Sequence, residues 1–169
     1  MIVFGIDPGS TVTGYAVVSR TAGRYALHEA GTIRTSTSDP VADRLARIFR
    51  ELQDAIARTR PDAIAIEAIF RHRSSESALK LGQARGVALL AAAQALLPVA
   101  EYYPNVVKLS VAGHGGADKA QVGRMVTRLL GIGDALSSDA SDACAIAITH
   151  VVRHGLDARV AMAARGARR

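Results

Sequence analysis

The acids are the first residues in this chain whose types and spacing could do chemistry. Asp7 closes the apolar run "IVFGID" directly before Pro8 and Gly9, and Glu67 closes a second short run in "DAIAIEAIF". A carboxylate at the end of a buried strand is costly to desolvate, so each needs compensation from a metal, a phosphate loop or a salt bridge. Asp139 and Asp142 in "SDASDA" are three apart and share one face of a helix's first turn. The helix dipole stabilises both as carboxylates there; standing alone, they read equally well as ordinary N-terminal helix acids. Four carboxylates with no His or Cys among them suit a hard, oxygen-preferring cation, Mg²⁺ or Mn²⁺, over zinc. Two such ions roughly 3.5–4 Å apart activate water and stabilise a leaving oxygen during in-line displacement at phosphorus. The acids therefore predict metal-dependent phosphodiester hydrolysis.

For that chemistry the fold must bring the acids together. "IVFGID", "GYAVVSR" and "YALHEAGTIRT" read as three strands joined by the turn-like stretches "PGSTVT" and "TAGR", an antiparallel meander. Val41, Leu45, Ile48, Leu52 and Ile56 then recur at helical spacing, with Asp39 before Pro40 as cap and first-turn pair and Pro61 as the stop. The buried strand ending at Glu67 follows. A helix over about 75–96 carries an apolar surface broader than one stripe, and the excess suits a partner subunit. "PVAEYYP" reads as a fifth strand, and "NVVKLSVAGHGGA" runs through a short element into a glycine-rich loop. Asp118 and Gln121 resemble a capping box opening a helix to about 130, with Gly131 as its stop. A last helix starts near Ser138 and is expected to end at Gly155. This order describes one α/β domain with a five-stranded mixed sheet flanked by helices. Asp7 and Glu67, at the C-terminal ends of their strands, come side by side if those strands are parallel neighbours, and ligand sites favour that edge.

Composition bounds the partners. At 169 residues the chain fits one domain with a sizeable core. No apolar run reaches membrane-spanning length and no basic-then-apolar signal segment opens the chain, so a cytoplasmic location is expected. The single Cys144 excludes an intramolecular disulfide and a cysteine metal site, and it reads as a small core residue. A net charge of +6 favours a polyanionic partner. Half of the excess lies in residues 156–169, where four Arg face one Asp; this Ala/Arg-rich stretch reads as a poorly ordered tail beyond a domain at 1–155. The chain uses Arg for 18 of its 21 basic residues, which singles out the three lysines, Lys80, Lys108 and Lys119.

The stretches "GIDPGSTVTGYAVV", "AIEAIF", "SALKLGQARGVAL" and "SDASDACAIAITH", in this order, resemble the bacterial RuvC-type Holliday-junction resolvases over about residues 1–152. The resemblance implies a ribonuclease-H-like fold, a homodimer, Mg²⁺ dependence with two ions per site, and paired nicks at a four-way DNA junction during recombination and repair. It also implies the RuvA–RuvB branch-migration complex as a partner, no membrane, and a short T-containing cleavage site. By matching motif, the metal-binding acids fall on Asp7, Glu67, Asp139 and Asp142, and the basic active-site residues on Lys108 and Lys119. Lys119 is expected to stabilise charge at the scissile phosphate and Lys108 to hold the strand. Phe70 matches the family's aromatic residue near the junction centre, where it could stack on unpaired bases or wedge between base steps; a lone Phe also suits core packing. Arg71, Arg73, Lys80 and Arg85 could neutralise phosphates, and Arg85 in "GQARG" could instead be structural. "HGG" at 114–116 and "YYP" at 102–104 take no role from the family pattern.

Two other classes fit the sequence less well. A non-catalytic junction-binding protein on the same fold would keep the basic residues and lose acids, but the acid set is complete. An actin-like ATPase reading of "DPGSTVTG" requires two lobes and a second nucleotide loop, for which 169 residues leave no room.

Overall fold

The computed structural model describes residues 1–68, 75–134 and 136–166, and for residues 75 and 157–166 the backbone alone. Five strands form one sheet: β1 (Ile2–Asp7), β2 (Val12–Thr21), β3 (Arg24–Arg34), β4 (Ala63–Glu67) and β5 (Val99–Tyr102). Their order is β3-β2-β1-β4-β5, antiparallel from β3 to β1 and parallel from β1 through β5. The β2–β3 turn places Ala22 and Gly23 at φ 50° and 84°, the two positive values that a tight type I′ hairpin needs.

Alternation along the strands loads both faces. Phe4, Ile6, Ile64 and Ile66 point to one face, where α1 (Val41–Thr59) and α2 (Ser75–Gln94) pack through Ile48, Leu52, Ala84 and Ala88. Val3, Ala16 and Ala65 point to the other, against α3 (Pro104–Ala112), α4 (Lys119–Leu130) and α5 (Ser138–Gly166). Cys144 sits wholly buried on this second face, and burial pushes its thiol up to about 12.

Several local expectations hold. Asp118 accepts from the Gln121 backbone N–H at 2.7 Å while the Gln121 side chain accepts from the Asp118 N–H at 2.9 Å, closing the capping box of α4. Gly131 ends that helix at φ 64°. The short element after β5 is α3, opened by Pro104 at its first turn and closed by Gly113.

Two expectations are corrected. Pro40, not Asp39, is the N-cap of α1, and no side chain caps it. The last helix does not stop at Gly155 but runs on to Gly166, so its backbone is helical through 156–166. One Gly costs a helix about 1 kcal/mol, and the Ala, Leu, Met and Arg residues that follow are among the strongest helix formers. His150 and His154 lie inside α5, and the Tyr102 hydroxyl is 2.8 Å from His150 Nδ1.

Candidate active site

The end of the sheet assembles the acids. Ile6 pairs with Ile66 across parallel β1 and β4, so Asp7 and Glu67, the next residue on each strand, end side by side. On the other flank Asp7 faces Gly14 of β2. That glycine has a mechanical role: a Cβ built on it would lie 2.1 Å from the backbone oxygen of Asp139. Gly5, one pleat back on β1, leaves the same space for α5, since its Cβ would meet the Ala143 oxygen at 2.2 Å. The first turns of α5 thus rest directly on the backbones of β1 and β2, and Asp139 and Asp142 come to the strand ends because nothing larger than hydrogen intervenes.

The loop after Asp7 is fixed from below. Thr13, wholly buried, donates from Oγ1 to the Gly9 carbonyl at 2.8 Å and accepts from the Gly9 N–H at 3.3 Å. Arg44, buried on the inner stripe of α1, donates to the Ser10 carbonyl and to Thr35 Oγ1, and Thr35 itself donates to the Ser10 carbonyl at 2.8 Å. Sequence reading passed over these supports. Glycines inside strands signal a close backbone approach, which could have found Gly5 and Gly14; Arg44 showed only as a charge on an apolar helical stripe.

Asp7, Glu67 and Asp142 line a cleft of about 430 Å³ together with Lys108 of α3 and Lys119 of α4. Lys119 Nζ is 2.6 Å from Asp142 Oδ2, with Asp142 largely shielded and Lys119 open to solvent. Among the described residues no carboxylate lies within ion-pair distance of Lys108. Burial, reinforced by the charges of Glu67, Asp142 and Asp139 and eased by Lys119, pushes the Asp7 carboxyl up to about 7. Glu67 is raised by burial and by Asp142, again eased by Lys119. The hydrogen bond to Asp142 raises Lys119.

Among the described residues no three His, Cys, Asp or Glu side chains stand close enough together to hold one ion as placed, and Asp142 is engaged by Lys119 instead. The set nevertheless fits divalent cations by its chemistry. Every donor is a carboxylate oxygen, and their mutual repulsion at a half-buried strand edge is relieved by added positive charge.

The remaining expected residues divide. Lys80 is exposed on α2 and paired with Glu76 at 2.6 Å. Arg85 is mostly shielded and engaged by the Glu101 carboxylate and the Glu67 backbone carbonyl, a placement that favours the structural one of its two expected roles. Phe70, Arg71 and Arg73 lie outside the described residues.

Acids gathered at the ends of central parallel strands and a first helix turn, with lysines across the cleft, define a nuclease of ribonuclease-H-like fold. Residues 3–150 match the family described as crossover junction endodeoxyribonuclease RuvC. The crossover junction endodeoxyribonuclease RuvC of Haemophilus influenzae (strain PittEE) is 48% identical over 157 residues, covering 92% of this chain and 82% of that protein. The solved structure of Thermus thermophilus RuvC is similar at a TM-score of 0.85 and 39% identity, over 93% of this chain and 97% of that one. T. thermophilus RuvC in complex with Holliday junction substrate is similar at 0.85 and 37%, over 92% and 96%. The chain belongs to the crossover junction endodeoxyribonuclease RuvC family. Its function is Holliday-junction resolution in recombination, and nucleases of this family are metal-dependent.

Proposed function

We propose that Asp7, Glu67, Asp139 and Asp142 hold two divalent ions, Mg²⁺ with Mn²⁺ as a substitute, and that the chain cuts a four-way DNA junction at this cleft. The observation that carries the reading is the cleft itself, where three of the acids and both candidate lysines converge. When bound, the ions supply Lewis-acid activation of water and charge stabilisation at the leaving oxygen. The residues do the rest. The acids fix the ions against the strand ends, and Lys119, already drawn to Asp142 at 2.6 Å, neutralises charge that builds on the scissile phosphate. Lys108, across the cleft, holds the cut strand by its backbone.

Paired symmetric nicks require two sites related by a two-fold axis, so the working unit is a homodimer. Leu79 and Leu90 of α2, 64% and 50% exposed, supply apolar surface for it. Residues 1–155 form the nuclease domain in this reading. Phe70 with Arg71 and Arg73, just before α2, meets the junction centre, and Lys80 lies near enough in sequence to add a phosphate contact. By family, the RuvA–RuvB complex is a partner. Among the described residues no helix is long and apolar enough to cross a membrane, in keeping with a cytoplasmic location.

The test is incubation with a synthetic four-way junction, linear duplex and single strand, each with Mg²⁺, Mn²⁺ and chelator. Symmetric nicks in the junction alone, dependent on added ion, are expected. Equal cutting of linear duplex would reduce the protein to a general nuclease.

A further inference from the structure

We propose that Arg85 is a positioning residue for Glu67, fixing the end of β4 through a guanidinium fork anchored on Glu101. Arg85 lies on α2 beside the fully buried Ala84 and Ala88, so its Cα is held against the sheet, and its side chain is only 17% exposed. One arm pairs with the Glu101 carboxylate on β5. The other, Nε, donates to the backbone carbonyl of Glu67 at 3.3 Å. One planar group therefore ties together α2, the neighbouring strand and the last residue of β4.

Glu67 needs such a tie. Tyr102 is its register partner on β5, and the Ala68 N–H donates to the Tyr102 carbonyl at 2.8 Å, after which the chain leaves the sheet. A strand end is where the ladder stops restraining the backbone, and a carboxylate there inherits every rotation of its own peptide. The Arg85 fork restrains that peptide from the α2 side. A lysine could not replace it, because an ammonium on a flexible stem is a point charge and lacks the rigid fork that serves two fixed acceptors at once. The partners behind a metal ligand govern affinity much as the ligand does.

This inference rests on the reading of Glu67 as an ion-holding acid, so Glu67→Gln serves as the reference variant. In the full chain, Arg85→Lys and Glu101→Gln are compared with wild type by three measurements: Mn²⁺ binding by calorimetry without DNA, melting temperature in chelator, and junction cleavage against Mn²⁺ concentration. Arg85→Lys is expected to keep the melting temperature, raise the Mn²⁺ half-saturation point about tenfold, and recover full cleavage at saturating ion. Glu101→Gln should shift the half-saturation point in the same direction by less. A wild-type Mn²⁺ half-saturation in Arg85→Lys overturns the proposal, as does a shift accompanied by a matching loss of melting temperature. If Glu67→Gln itself binds Mn²⁺ as wild type does, it is the reading of Glu67 that has failed.

Discussion

The two faces of the sheet are packed on different principles. On the α1/α2 face the strands present Phe4, Ile6, Ile64 and Ile66, and α1 answers with Ile48 and Leu52, all of them fully or almost fully buried. On the α5 face the strands present Gly5, Gly14, Ala16 and Ala65, and α5 answers with Ala143 and Ala147. Large side chains fill space and supply transfer free energy; small ones let a helix backbone approach a strand backbone closely. The acids of α5 stand on the second face. Both faces carry buried core, but only the second seats the acids, so substitutions on the first can separate stability from catalytic geometry.

The sharpest separation lies in Asp7. Asp7→Asn is expected to lower junction cleavage on the order of 10³-fold while junction binding in chelator persists, measured by gel shift beside a cleavage time course. Wild-type cleavage by this variant would remove the acid from the site. On the opposite face, Leu52→Ala should cost about 2–5 kcal/mol of unfolding free energy, read by urea denaturation, with the cleavage rate per folded molecule unchanged. If cleavage fell by more than the folded fraction, the two faces would not be separable.

Gly14→Ala tests the other half of the contrast. Its methyl group would press the Asp139 backbone away, costing about 1–3 kcal/mol of overpacking and on the order of 10²-fold in cleavage, since a displacement near 1 Å has that effect on reacting geometry. A crystal structure of the variant with Asp139 unmoved would refute this account of the glycine.

A smaller effect concerns pH. Asp7 titrates near 7 in the folded protein, above its ordinary value of 3.8, so between those limits the folded state binds more protons than the unfolded one. Stability without metal must then fall as pH rises through that window. At pH 8 in chelator, Asp7→Asn should melt above wild type, with the difference closing as the pH falls toward 4. Equal melting temperatures at pH 8 would show that burial and the neighbouring acids do not hold the Asp7 carboxyl above its ordinary value.

Most of this arrangement could be read from the chain. Short apolar runs bounded by turn-like stretches gave all five strands, and the carboxylates at the ends of two of those runs gave the site, because burying a charge there makes sense only if something compensates it. Asp118 and Gln121 announced a helix start through local chemistry that needs no tertiary context. What stayed hidden is tertiary. That α5 is what Gly5 and Gly14 seat, and that Arg44 holds the Ser10 loop, depend on partners more than 30 residues away; that Arg85 turns inward to Glu101 depends on how α2 packs beside β5. Gly155 misled for the opposite reason: a local breaker was outweighed by the summed propensity of its neighbours.

Cys144 lies two residues beyond Asp142, on the stretch of α5 that rests on Gly5, with its sulfur wholly buried and its thiol pushed up to about 12. In the closed state a thiol reagent has neither access nor thiolate to attack. The chain's single cysteine is thus a built-in clock: its labelling rate reports how often the helix carrying half of the acids lifts from the sheet, and divalent ions that clamp that helix should slow the clock.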